Sequence, residues 1–347
     1  MKAKRVVKPL LSIVLALVVG AVVIALMGQN PLYIYSTMLQ GAFGSPSAVA
    51  GTLVKTTTMI FVGLSYGFAY KCGLINIGIE GQLYMGALFS AYTAIYLNLP
   101  AVLEIPVCLA AGFIGGGIWG GIVAWLKNRF KASELITTVM MNYVATYIVG
   151  ALLNGPLKES RGTFPQSEPI QQSAQLPVIV PQTQLTIGFL IAIAAIVCYA
   201  IYWKKSSTGF QMSVIGSNHE AARYAGIPVK RMALMAMFIS GGLGGLAGTM
   251  EVLGVQHKIM EGLSAGYGFD GIAVSLLGNN SGIGIFFSSL LFGALRYGGN
   301  AVQMFPGLPI AVIYILQALV ILFVVVGTFA SVRNKRKKKM LRKPEGA

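Results

Sequence analysis

Asn76, Glu80 and Gln82 stand close together in the stretch Lys71-Cys72-Gly73-Leu74-Ile75-Asn76-Ile77-Gly78-Ile79-Glu80-Gly81-Gln82, between two long apolar runs. One carboxylate and two carboxamides offer hydrogen-bond donors, acceptors and a negative charge, the chemistry of holding a polar solute or tying helices together. A carboxylate in an apolar surrounding costs about 2.5–3.5 kcal/mol on insertion scales, and its default reading is functional. Gly73, Gly78 and Gly81 loosen the same segment, so its backbone must be covered by protein or line a wet cavity. Catalytic chemistry is not indicated. His219 and His257 lie in distant loops, and no credible Ser-His-Asp pattern occurs. Cys72, Cys108 and Cys198 have no metal-ligand or redox spacing and read as packing residues. No Gly-x-x-x-x-Gly-Lys-Ser/Thr loop is present, so ATP would have to be bound by another chain. Neither an enzyme activity, a metal nor a cofactor of its own is expected.

The elements that must position these groups are membrane spans. The chain has 347 residues, 55% of them hydrophobic and only 10% charged, with a mean hydropathy of +0.72. Soluble domains carry about 25% charged residues, so this composition describes a multi-pass membrane protein. The net charge of +16 does not indicate a nucleic-acid partner. Most Lys and Arg fall in segments that the span pattern puts on one side, the positive-inside bias. Lys2, Lys4, Arg5 and Lys8 precede an apolar run from Leu10 to Met27, too long for a signal peptide and without a cleavage site. That run is expected to stay as a first helix with a cytoplasmic N-terminus.

At about 20 apolar residues per span, ten are predicted, at 9–28, 48–70, 73–98, 104–126, 133–154, 184–203, 232–253, a short Gly-rich 266–280, 282–304 and 308–328. Loops 29–47 and 155–183 belong outside, and 204–231 inside. The basic tail from Arg333 to Lys343 holds the C-terminus in the cytoplasm. The expected organisation is one all-α transmembrane domain over 1–331, with halves at 9–203 and 232–331 around the 204–231 loop, and a tail at 332–347. Five spans per half make the second run inverted relative to the first, as in many transporters. The third span of each half is then interrupted. Gly266-Tyr267-Gly268-Phe269-Asp270-Gly271, followed by Leu277-Gly278-Asn279-Asn280, is the counterpart of 73–82.

Gly112, Gly116 and Gly120, with Gly241, Gly244, Gly245 and Gly248, have the four-residue spacing that lets helix backbones approach. Lys55, Glu80, Glu251 and Asp270 cannot snorkel easily, and each reads equally as a structural partner or a solute contact. Their place in interrupted helices puts Glu80 and Asp270 beside a pathway. Asn142-Tyr143 reads either as part of the same cavity or as an interhelical hydrogen bond. On the cytoplasmic loop, Asn218 suits a helix N-cap, Glu220 its first turn and Gly226 the C-cap, and Pro228 keeps the helix from continuing. The expected product is a two-turn helix presenting alanines and Tyr224, suited to docking in a groove of another protein.

Gly73 to Gln82, Glu134-Leu135-Ile136-Thr137-Thr138-Val139-Met140-Met141-Asn142-Tyr143, and Gly216-Ser217-Asn218-His219-Glu220-Ala221-Ala222-Arg223-Tyr224-Ala225-Gly226-Ile227 together resemble the permease subunits of bacterial ABC importers of the branched-chain amino acid, ribose and nucleoside group. The resemblance covers nearly the whole chain. The cytoplasmic motif resembles the coupling loop of the entire group, whereas Asn-Ile-Gly-Ile-Glu-Gly-Gln resembles the nucleoside, purine-type members. The resemblance implies a plasma-membrane importer with a second, non-identical permease subunit, a separate ABC ATPase and an extracellular substrate-binding lipoprotein. It also implies that Gly216, Asn218, Glu220, Ala221, Ala222, Gly226 and Ile227 serve coupling to the ATPase. A nucleoside is neutral, and Asn76, Gln82, Asn142, Tyr143, Tyr267 and Phe269 offer the hydrogen bonds and aromatic faces its pocket needs. Of these, Asn76 and Gln82 are the favoured contacts, with Glu80 favoured as a tie between helices.

Other readings stay open on the residues. Ribose or a branched-chain amino acid fits the same group. An ion-coupled secondary transporter using Glu80 and Asp270 accommodates the inverted halves but leaves the capped cytoplasmic helix without a task. A non-transporting scaffold leaves the interrupted polar helices unexplained.

Overall fold

The computed structural model describes residues 3–160 and 162–303, with five single positions between 315 and 323. Most of the span predicted at 308–328 and all of the basic tail from Arg333 to Lys343 lie outside the described residues. The described chain is helical, with isolated bridges in place of strands. Its helices are α1 (Ala3–Leu26), α2 (Pro31–Phe43), α3 (Pro46–Lys71), α4 (Ile79–Tyr96), α5 (Ala101–Phe130) and α6 (Glu134–Leu153). They continue as α7 (Gly188–Lys205), α8 (Ser207–Ser217), α9 (His219–Tyr224), α10 (Val229–Glu251), α11 (Tyr267–Leu277) and α12 (Gly282–Gln303). Among the described residues five helices are long and apolar enough to cross a membrane, or up to six if the bent pair Val14–Leu26 and Pro31–Phe43 is one span.

The chain divides into two compact units, one made of 1–48 with 294–347 and the other of 49–293. In the first, α2 corrects the expectation of a loop at 29–47. Asn30 accepts from the Leu32 N–H at 3.0 Å, and Pro31 takes the first helical turn, where its missing N–H does no harm. Ile34, Met38 and Ala42 recur at four-residue spacing as the buried stripe. Ile24, Ile34, Met38 and Val302 form that unit's core.

In the second unit α4 is the central element. Most residues from Ile79 to Ala94 on it are buried, and only the stretch around Phe89 and Tyr92 is exposed. It packs against α10 at Gly86, where a Cβ would collide with the Gly245 Cα, and α5 and α10 meet each other through glycines as well. A Cβ added at Gly116 would stand 2.7 Å from the Gly245 Cα, and one at Gly241 would stand 3.2 Å from the Gly120 Cα. The four-residue glycine spacing therefore marks close backbone contact, as expected from small residues at such crossings. α10 ends in a π-helical turn, Val252–Gln256, of a kind frequent at functional positions.

The segment 155–187 is more ordered than a connecting loop. Ser167, Ile170 and Leu176 donate backbone N–H groups to the carbonyls of Ile259, His257 and Leu253, and Gln171 to that of Ala94. The segment's own Ile170, Ala174 and Leu176 are buried. Cys72 and Cys108 are buried as packing residues, but Cys198 is exposed on α7, against the expectation.

Candidate functional site

The third predicted span does not begin at residue 73. α3 ends in a Schellman turn, with the Leu74 N–H on the Ala69 carbonyl and the Gly73 N–H on that of Tyr70. Gly73 sits at φ +79°, the left-handed region that this turn requires at that position. Residues 72–78 are then non-helical, and α4 starts at Ile79. Such a break leaves backbone groups without helical partners, and side chains from elsewhere satisfy them.

Asn142 of α6 is one supplier. Its Oδ1 accepts from the Gly81 N–H at 2.8 Å, and its Nδ2 donates to the Ile77 carbonyl at 3.0 Å. Asn76 is the other. Its Oδ1 accepts from the Gly78 N–H at 3.0 Å, and its Nδ2 donates to Gln82 Oε1 at 2.9 Å and to Ser240 Oγ at 2.8 Å. Ser240 in turn donates to the Ser65 carbonyl at 2.7 Å. The network joins α3, the break, α4 and α10, and Ser65, Asn76, Gln82 and Ser240 are all fully buried. Asn76 and Gln82 thus serve each other, Ser240 and the backbone.

Glu80 makes the contact between the two interrupted segments. Its Oε2 accepts from the Gly268 N–H at 2.7 Å, in the first turn of α11. A Cβ at Gly268 would lie 2.6 Å from the Glu80 Cα, so only glycine lets α11 start against the start of α4. The carboxylate sits in the first turn of its own helix and at the N-terminus of another, where two helix dipoles favour negative charge. Gly266 reaches this geometry at φ +85°, just before Tyr267. At its other end α11 closes on Asn279 in the left-handed region, with the Asn280 N–H on the Ser275 carbonyl at 2.8 Å.

Asp270 and Tyr267 are buried in the first turn of α11, whereas Phe269 and Tyr143 are 45% and 57% exposed. The eight predicted pathway residues therefore separate into six that are buried, four of which hold the break, and two exposed aromatic residues, Tyr143 and Phe269. Composition marks Lys55 and Glu251 as expensive charges without pairing them. The structure sets Lys55 Nζ 3.6 Å from Glu251 Oε1 and 2.8 Å from the Tyr267 hydroxyl, while Thr58 donates to the same Glu251 oxygen at 2.7 Å. Sequence could signal these groups only as charges in apolar runs, since the partners are some 200 residues apart. Glu104, fully buried in the first turn of α5, belongs to no motif that would single it out in the sequence.

On the coupling loop both predicted caps are present. Asn218 Oδ1 accepts from the Glu220 and Ala221 N–H groups at 3.0 and 3.1 Å. Gly226, at φ +76°, and Ile227 close a Schellman turn on Arg223 and Ala222. The helix between them, α9, has six residues, and α8 precedes it where only a connection was expected. Ala222 is fully buried, which corrects the expectation that it faces outward; Glu220, Ala221 and the 90% exposed Tyr224 form the outer surface. Gly216, the end of α8, lies against the break, since a Cβ there would meet the Gly73 N at 3.1 Å as well as the Lys71 carbonyl.

A helical membrane protein whose central helix starts at a side-chain-satisfied break is the architecture of a transporter. Residues 48–325 match the family described as "Branched-chain amino acid transport system / permease component". The chain is 35% identical over 331 residues to the glucose ABC transporter permease protein TsgB13 of Haloferax volcanii, covering 92% of this chain and 87% of that one. It is 35% identical over 320 residues to the guanosine ABC transporter permease protein NupP of Bacillus subtilis, covering 91% and 92%. Against the nucleoside ABC transporter permease protein NupB of Lactococcus lactis it is 32% identical over 335 residues, covering 94% and 92%. No solved structure matches the chain.

The chain belongs to this permease family. It is a multi-pass membrane protein and the permease component of an ABC transporter, with ATP hydrolysis belonging to a separate subunit.

Proposed function

We propose that the chain forms the translocation pathway of an importer whose solute is a nucleoside. The observation that carries this reading is the likeness to two permeases named for guanosine and nucleoside transport, extending over more than nine-tenths of this chain. The Asn76–Gln82 motif, which resembles purine-type members, supports the same choice. A neutral heterocyclic solute calls for aromatic faces and a few hydrogen-bonding groups in an apolar wall. Tyr143 and Phe269 supply the faces, with Tyr267 and Asp270 beside them, while Asn76, Glu80, Gln82 and Asn142 hold the backbone break on which they depend.

The full arrangement proposed has ten spans in two inverted halves, with α4 and α11 as the corresponding interrupted helices. Their start-to-start contact through Glu80 and Gly268 supports it. Both termini lie in the cytoplasm of a bacterial cell, and the partners are an ABC ATPase, a second, non-identical permease and an extracellular substrate-binding lipoprotein. Coupling runs through Gly216, Asn218, Glu220, Ala221, Ala222, Gly226 and Ile227. In this division of labour Asn218, Gly226 and Ile227 shape α9, and Glu220, Ala221 and Tyr224 meet the ATPase. Because Gly216 rests on residues 71–73, movement of α8 and α9 reaches the break directly.

A hexose is the second reading, favoured by the Haloferax relative of equal identity. The test is ATP-driven uptake of labelled guanosine by the reconstituted importer, with unlabelled nucleosides and glucose as competitors. Guanosine uptake competed by nucleosides and not by glucose is expected, and absence of guanosine uptake together with ATP-driven uptake of labelled glucose would replace the first reading with the second.

A further inference from the structure

The ends of α5 and α9 and the start of α10 line an open hollow of about 950 Å³ beside the break. Lys127, Lys131, Arg223, Lys230 and Arg231 line it, and no acidic residue does. Lys127 pairs with Glu134 across the top of α6. Among the described residues the other four cations form no ion pair, although they come from three separate segments. The walls are fixed: Asn128 Nδ2 donates to the Lys230 carbonyl at 2.9 Å, and Lys131 caps α5 in the left-handed region at φ +55°. The four side chains are exposed, but they line one hollow rather than separate loops. Beside them on α5, Trp125 and Phe130 are 54% and 64% exposed with rings 5.8 Å apart, edge to face. Exposed aromatic rings at a helix end mark the level of the lipid headgroups.

We infer that this hollow binds a phosphate-bearing anion at the membrane surface. Its four unpaired cations and the exposed aromatic rings on α5 suit the headgroup of an acidic phospholipid, and a free phosphate compound offers the same chemistry. Basic pockets between helix ends on the cytoplasmic side are suited to such groups. The bound anion would bridge α5, α9 and α10, and so steady α9 against the break. The cytoplasmic placement rests on the orientation proposed above, but the test uses no solute, so its failure leaves the transport reading untouched.

The assembled importer is placed in nanodiscs of phosphatidylcholine alone or mixed with phosphatidylglycerol, and retained lipid is measured by native mass spectrometry. Preference for phosphatidylglycerol is expected, weakened about fivefold for each cation removed in Lys131→Gln with Arg231→Gln, and kept in Lys131→Arg with Arg231→Lys. If the double glutamine variant does not assemble, Arg231→Gln alone carries the same single-step expectation. In phosphatidylcholine discs, a melting temperature raised by inorganic phosphate or pyrophosphate, with the same dependence on the variants, assigns the site to a soluble source. Absence of both effects, or equal effects in the glutamine variants, overturns the inference.

Discussion

The contact between the two interrupted helices turns on Glu80, and replacing it by glutamine isolates its charge. Glutamine keeps an acceptor for the Gly268 N–H but exchanges a charged acceptor for a neutral one. Bonds to charged groups contribute about 1.5–3 kcal/mol and neutral ones about 0.5–1.5, a loss of about 1 kcal/mol. Two helix N-termini each add about 0.3–1 kcal/mol to the charged form. Relief from burying a carboxylate offsets part of this, leaving a net destabilisation of roughly 1–2 kcal/mol. Gly268→Ala attacks the same contact sterically, because its Cβ would stand 2.6 Å from the Glu80 Cα. Overpacking of that kind costs about 1–3 kcal/mol. Once alanine has parted the two helix starts, Glu80→Gln has little left to remove, so the double variant should be more stable than the sum of the two losses predicts. Thermal unfolding in nanodiscs of the wild type, both single variants and the double closes the cycle. Full stability of Glu80→Gln together with lost uptake would refute the reasoning, since the charge would then act on the solute and not between helices.

Asn142→Leu strands the Gly81 N–H and the Ile77 carbonyl, each costing about 1–3 kcal/mol when buried without a partner; a clear fall in thermal stability is expected, with Asn142→Asp keeping the Gly81 contact alone. Glu220→Lys with Tyr224→Ala alters only the exposed face of α9, so membrane assembly should persist while solute-stimulated ATP hydrolysis and uptake fall at least several-fold. Burial holds the His257 imidazole below its ordinary value near 6.5, outweighing a hydrogen bond that it donates to the Leu253 carbonyl and that raises it. The folded chain therefore favours neutral His257, so the stability tied to this group is complete above about pH 6.5 and is lost as pH falls from there through the lower folded value. His257→Gln should flatten that acid-side loss in a thermal melt.

Much of this protein was legible from its residues because lipid is a demanding solvent. A composition with so few charges and so many apolar residues admits only a helical membrane protein, and the basic segments then predict its orientation. Local chemistry was equally readable at the coupling loop, where Asn218 and Gly226 cap a helix through bonds that span only a few residues. Glycines 112, 116 and 120 announced close packing before their partners were known. Even α2 carried its signal, in Asn30-Pro31 and the stripe of Ile34, Met38 and Ala42.

The tertiary structure decided which polar groups satisfy one another. Hydropathy treats 73–98 as one apolar run, and nothing local reveals that Asn142, some 60 residues away, is aimed at the Gly81 N–H. Asn76 and Gln82 look like solute contacts in the sequence because they are polar and adjacent to a pathway. In the fold they are spent on each other, Ser240 and the backbone. Lys55 finds Glu251 and Tyr267 only when α3, α10 and α11 meet. A residue's type and its immediate neighbours fix how expensive it is to bury. Which partner offsets that cost depends on distances across the bundle, and those exist only in three dimensions.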